Sequence, residues 1–248
     1  MKKHIPNTIT CCNLISGCIA TYWALCGVWD VALLFIVIGA VFDFFDGMSA
    51  RLLGVSSPIG KELDSLADDI TFGFAPSAII FATLQTVSYP AAIDTPVVRT
   101  LLPYSAFVMA AFSAVRLAKF NLDTRQTTSF IGLPTPANAL FWGSLVVATQ
   151  QRIDSLSWAM PLIVAGMLVS CYLLVCELPM FALKFKHWGW KDNEVKYCFV
   201  AASLVAILVL GPLKAFAPII ACYVVLSVII ALFDNKKPQT DTSDDVHS

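Results

Sequence analysis

The chain has 248 residues, of which 58% are hydrophobic and 13% charged, with a net charge of −1 and a mean hydropathy of +0.75. Soluble domains carry about 25% charged residues. So little polar surface excludes a soluble enzyme, a disordered chain and a nucleic-acid binder, and leaves an all-α polytopic membrane protein.

A membrane span takes about 20 mostly apolar residues. Eight segments qualify in chain order: 9–29, 31–53, 63–86, 99–120, 134–151, 156–180, 195–211 and 214–233. The N-terminal MKKHIPNTITCCN has no short apolar region ending at a clear cleavage site, so the first segment is expected to stay as a span. The second segment's apolar part ends at Phe42 and continues as DFFDGMSAR, and the third opens with LDSLADDI. Gly54 to Gly60 offer a turn between them, so two helices with acidic ends should face each other. The expected organisation is one membrane domain, 1–233, followed by a polar and disordered tail, 234–248. The eight cysteines fall in apolar runs and read as small buried hydrophobes, without the paired spacing of a zinc site.

Lysines and arginines orient the spans. With the N-terminus on one side, that side holds thirteen: Lys2, Lys3, Arg51, Lys61, Arg116, Lys119, Arg125, Lys184, Lys186, Lys191, Lys196, Lys236 and Lys237. The other side holds Arg99, Arg152 and Lys214. Both termini and the acidic ends of helices 2 and 3 are therefore expected to be cytoplasmic.

Asp43, Asp46, Gly47, Ala50 and Arg51 recur at helical spacing and share one face, as do Asp64 and Asp68. The hairpin gathers four carboxylates at the membrane–cytoplasm boundary. Such groups repel one another in a partly dry site, and a divalent cation relieves this. An all-oxygen ligand set suits Mg²⁺ or Mn²⁺. Four carboxylates can hold two ions, an arrangement that clamps a diphosphate during phosphoryl transfer. Gly47 and Ala50 leave the helix face bare for a flat nucleotide, and Arg51 can reach phosphate oxygens. At the expected cytoplasmic end of span four, Arg116 is a candidate carboxylate clamp, with Lys119 and Asn121 nearby. Lys184 is a candidate for a lipid phosphate. Each of these basic residues can equally be a positive-inside anchor.

The pattern D-G-x2-A-R-x8-G-x3-D-x3-D, from Asp46 through Gly60 to Asp68, resembles the signature of the CDP-alcohol phosphatidyltransferase family without departure. The resemblance implies transfer of a phosphatidyl group from a CDP-linked lipid to an alcohol, with release of CMP. It implies that Asp43, Asp46, Asp64 and Asp68 are metal ligands and that Asp68 is the general base. Gly47, Ala50, Arg51 and Asn13 become contacts to CDP-diacylglycerol. The segments 5–17, 64–77, 114–121 and 130–139 resemble the integral-membrane branch whose acceptor is L-serine, and place the catalytic core at about 5–185 in a bacterial-type cytoplasmic membrane. A homodimer is also implied. Asp69 follows the base where many relatives using phosphorylated acceptors have Lys or Arg, and either Asp69 or Asn138 could tune the acceptor. Two alternatives stay open. One keeps the chemistry with glycerol 3-phosphate, inositol phosphate or choline as acceptor. The other is a cation transporter using the Asp cluster, for which ligands near the midplane and broken helices are expected.

Overall fold

The computed structural model describes residues 4–122, 131–152, 158–180, 189–190 and 193–234. The elements are α1 (His4–Leu25), α2 (Trp29–Leu53), α3 (Pro58–Asp68), a π-helical segment (Asp69–Phe74) and α4 (Ala75–Thr86). They continue with α5 (Pro96–Leu101), a 3₁₀ segment (Leu102–Ala106), α6 (Phe107–Leu122), α7 (Thr135–Thr149), α8 (Ala159–Val175), α9 (Glu194–Leu210) and α10 (Pro212–Asp234). Among the described residues the only extended pairing is a single bridge between Ile131 and Pro179. A backbone surrounded by lipid must satisfy its hydrogen bonds internally, and an apolar helix does so within one segment.

The helices fall on the eight expected apolar segments. Five stretches, His4–Leu25, Trp29–Leu53, Pro58–Thr86, Pro96–Leu122 and Pro212–Phe233, are long and apolar enough to cross a membrane. The remaining three, α7, α8 and α9, have 15, 17 and 17 residues. The architecture is all-helical and of membrane type.

The turn between α2 and α3 follows from local chemistry. Gly54 takes the left-handed conformation, φ 60°, and its N–H bonds back to the last carbonyls of α2. Ser57 then caps α3, its hydroxyl accepting from the N–H of Gly60, with Pro58 in the first turn, where no N–H is needed. The chain thus reverses within a few residues. The two acidic segments do not simply pack on each other. Helix α1 lies along α2 and also against α3, the π segment and α4, so it is the shared neighbour of both arms.

Close approach at that junction depends on two glycines. A Cβ on Gly17 would lie 2.4 Å from Thr71 Oγ1 and 2.8 Å from Thr71 Cα, and one on Gly39 would lie 2.5 Å from Thr71 Cγ2. Thr71 therefore fits between α1 and α2, and its hydroxyl donates to the backbone carbonyl of Asn13 at 3.0 Å. This is the small-residue packing that membrane helices use in place of a hydrophobic drive. The π segment has a local cause. Pro76 lacks the N–H that an α-helix would direct at the Phe72 carbonyl, and its ring crowds that carbonyl; a wider turn relieves both. Elsewhere α4, α6, α7 and α8 enclose Trp142, whose indole N–H donates to Ser170 at 2.9 Å.

Two surface features complete the picture. At the end remote from the α2–α3 turn, Arg99 pairs with Asp94 and sits over the Tyr89 ring. The hydrogen bond from Arg99 holds the Asp94 carboxyl below its ordinary range, but the pair is exposed and contributes little stability. The cysteines depart from expectation. Only Cys171 is buried, while Cys11, Cys18, Cys198 and Cys222 face outward from apolar helices, where a thiol is as compatible with lipid as with a protein core, and Cys26 is exposed in the turn after α1.

Gly17→Ala should lower the detergent melting temperature by several degrees, because overpacking against backbone costs roughly 1–3 kcal/mol. Gly47→Ala should not, since the nearest group to its new methyl is Arg51 Nη1 at 3.9 Å. Thermal unfolding of the two variants checks this; equal melting curves would show that the α1–Thr71 contact is not tight.

Candidate active site

Three carboxylates converge at the turn end of the bundle. Asp43 from α2 and Asp64 and Asp68 from α3 each offer an oxygen, and these oxygens lie within 4.8 Å of one another. The i, i+4 spacing on α3 stacks Asp64 and Asp68 on one face. The α2–α3 turn supplies Asp43 from the other arm. Asp46, one turn along α2 from Asp43, is outside this trio. It is buried, and Thr10 of α1 donates to its Oδ2 at 2.6 Å. Asn13, fully buried one turn further along α1, donates to Asp68 Oδ1 at 3.1 Å. Helix α1 thus presents Thr10 and Asn13 to two of the four acids.

Beside the trio lies a cavity of about 230 Å³, lined on one wall by Asp46, Gly47 and Ala50 and on the other by Gly60, Lys61 and Asp64. Pro6, Asn7 and Thr10 close it from α1. Gly47 and Ala50, with little or no side chain, thus line this cavity. Arg51 is exposed, with its guanidinium near Gly47. Asp46 and Asp64 are the acids that reach the cavity.

Among the described residues, no lysine or arginine forms a salt bridge with any of the four acids. Asp64 Oδ1 is buried and has no hydrogen-bond partner among the described residues. Orphaned carboxylate oxygen, clustered acids and an all-oxygen donor set fit a divalent cation. Asp43, Asp64 and Asp68 are the residues that could hold it, with Asp46 adjoining.

The remaining expected site residues divide. Arg116 is buried on α6, donates to Thr135 Oγ1 at 3.3 Å, and lies close enough to Asp68 for their charges to attract. Lys119 is exposed. Asn121 is engaged elsewhere: its amide donates to Ser65 at 2.7 Å, and its carbonyl accepts from Lys61 Nζ at 2.9 Å, joining α3 to the end of α6. Lys184 lies outside the described residues. Thr10, Asn7 and Lys61 were not expected. The available signal was that Asn7, Thr10 and Asn13 recur three residues apart on one face of α1.

Millimolar Mn²⁺ should raise the melting temperature relative to a chelator, because a ligand at about 100 times its dissociation constant stabilises by about 2.7 kcal/mol. Asp64→Asn should remove most of that shift. A wild-type melting curve indifferent to both cation and chelator would refute a metal at this cluster.

Comparison with known proteins bears on this geometry. Residues 3–176 match the CDP-alcohol phosphatidyltransferase family. A CDP-diacylglycerol–serine O-phosphatidyltransferase of Bacillus subtilis is 35% identical over 187 residues, which is 75% of this chain and 92% of that protein. An enzyme of the same name from Helicobacter pylori is 29% identical over 92% of this chain and 91% of its own length. One from Mycobacterium leprae is 30% identical over 92% of this chain and 71% of its own. The matched region contains α1 to α8, and with them the acid cluster, the cavity and Arg116. The chain belongs to the CDP-alcohol phosphatidyltransferase family.

Proposed function

We infer that the protein transfers the phosphatidyl group of CDP-diacylglycerol to the hydroxyl of L-serine, giving phosphatidylserine and CMP. The observation that carries this is the carboxylate trio beside the cavity, in a chain whose relatives bear the name of that reaction. The donor's cytidine diphosphate is assigned to the cavity wall of Gly47 and Ala50, with Arg51 and Lys61 near its phosphates and Asn13 behind Asp68. Lys184 is assigned to the lipid phosphate, and Arg116, Lys119 and Asn121 to the serine side.

Each residue then has a definite task. The serine hydroxyl is a poor nucleophile at neutral pH, so a positioned base assists its attack. Asp68 accepts the hydroxyl proton as the oxygen bonds to the lipid-side phosphorus, and the bond from that phosphorus to the bridging oxygen of CMP breaks. Asn13 orients Asp68, leaving its other oxygen free to face the substrate. Thr10 does the same for Asp46. Asp43, Asp46, Asp64 and Asp68 are the residues that would hold a divalent cation, Mg²⁺ or Mn²⁺, in one or two copies. Such an ion neutralises diphosphate charge and improves the leaving group.

The same reading makes 1–233 a membrane domain crossing the bilayer eight times, with a catalytic core of about 5–185. It puts the acid cluster, both termini and the tail at 234–248 on the cytoplasmic side of a bacterial-type membrane, in a homodimer. Five helices of spanning length and the charge asymmetry support this arrangement.

CMP release from CDP-diacylglycerol, measured with purified protein, should require both serine and a divalent cation. Asp68→Asn should lower it by roughly 10²–10⁴-fold, the usual contribution of a general base. Release driven by glycerol 3-phosphate or inositol phosphate and not by serine would replace the acceptor. Absence of release with any acceptor, from folded protein, would overturn the reading.

A further inference from the structure

Next to Asp68 in the chain, and with Arg116 close enough to attract it, stands a second set of polar side chains that does not line the cavity. Asp69 Oδ1, Ser113 Oγ, Arg116 Nε and both carboxamide atoms of Asn138 are buried without hydrogen-bond partners among the described residues. Ser113, Arg116 and Asn138 are at most 8% exposed. Buried polar groups are almost always paired, so several orphans in one place require an explanation.

Their placement is orderly. Ser113 and Arg116 are three residues apart on one face of α6, and Thr135 and Asn138 are three apart on one face of α7. Helix α6 runs toward the acid cluster and α7 away from it, joined by the Arg116–Thr135 hydrogen bond. One turn deeper on each helix, Ser113 and Asn138 therefore lie at the same level. The π segment brings Asp69 to them. A Cβ on Gly73 would meet Asp69 Oδ1 at 2.7 Å and Ser113 Oγ at 3.5 Å, so the glycine leaves these two polar atoms bordering one gap.

The charge content of this group is specific. It holds one carboxylate, one guanidinium, one hydroxyl and one amide. A phosphorylated acceptor would bring two negative charges to a site that already contains Asp69 and, among the described residues of this set, offers Arg116 as the one cation. A zwitterion brings one charge of each sign and matches the set. Asn138 supplies both an acceptor and a donor, and Ser113 can serve as either.

We propose that Asp69, Ser113 and Asn138, together with Arg116, form the acceptor pocket and select a zwitterionic amino alcohol. Asp69 and the Asn138 carbonyl receive the ammonium group. Arg116 receives the carboxylate, and the hydroxyl is left toward Asp68. This assignment rests on the serine-transfer reading above and identifies the residues that make the acceptor an amino acid.

The test measures CMP release with CDP-diacylglycerol and Mn²⁺ against serine, 3-hydroxypropanoate (no ammonium) and ethanolamine (no carboxylate). In Asp69→Asn and Asn138→Ala the serine KM should rise at least tenfold while the donor KM stays within twofold. Asp69→Asn should also narrow the preference for serine over 3-hydroxypropanoate. Ser113→Ala removes a single oxygen and guards against a folding defect in the other variants; its serine KM should rise about threefold or more. As an independent readout, serine should raise the melting temperature of wild-type protein and do so less in all three variants. Unchanged serine KM and unchanged analogue preference in Asp69→Asn and Ser113→Ala would overturn the pocket while leaving serine transfer intact. A wild-type protein that uses glycerol 3-phosphate and not serine would overturn both.

Discussion

The structure is organised around mutual repulsion. Asp43, Asp64 and Asp68 hold oxygens within 4.8 Å of one another, with Asp46 one turn away and no described basic side chain in salt-bridge contact. Like charges at such range separate unless the scaffold holds them. Here a short capped turn ties the two acidic helices, and α1 grips both, bonding Asp46 through Thr10 and Asp68 through Asn13. The tight Gly17, Gly39 and Thr71 contact keeps α1 in place. Packing remote from the acids thus sustains an arrangement that a bound divalent cation would relieve.

Much of this was legible in the residues alone. Helical spacing put Asp43, Asp46, Gly47, Ala50 and Arg51 on one face, and glycines marked the turn, so the acidic hairpin and its cavity wall follow from periodicity. The apolar runs located every long helix. What escaped depends on contacts between distant segments. The position of α1 against both arms arises from the fit of Thr71 against two glycines far apart in the chain, and no local pattern encodes that fit. The tie between the Asn121 amide and Ser65, which joins the end of α6 to α3, is another such contact. Lys61 reads in the sequence only as an orientation charge, yet it lines the cavity beside Gly60 and its ammonium donates to the Asn121 backbone carbonyl.

The two sides of Asp68 differ in character. The nucleotide side is an open cavity with a bare helix face, suited to a large donor arriving with its own charges. The other side is buried, and its polar atoms are few and individually placed. Large, variable lipid donors need room, whereas a small acceptor is distinguished by how completely it satisfies a closed set of groups. In the proposed mechanism, a base at Asp68 between these environments would let one carboxylate serve both substrates.

The π segment carries a consequence for how this protein can change. A wide turn contains one residue more than the α-helical turn it replaces, and one residue corresponds to about 100° of helix rotation. Removing any residue between Asp69 and Phe74 would swing the faces of α3 and α4 out of phase. Asp64 and Asp68 would then point away from Asp43 whenever α4 kept its seat in the bundle. The length of this stretch is therefore fixed by the geometry it joins, whereas a loop such as the one between α4 and α5 sets no such phase and can change in length.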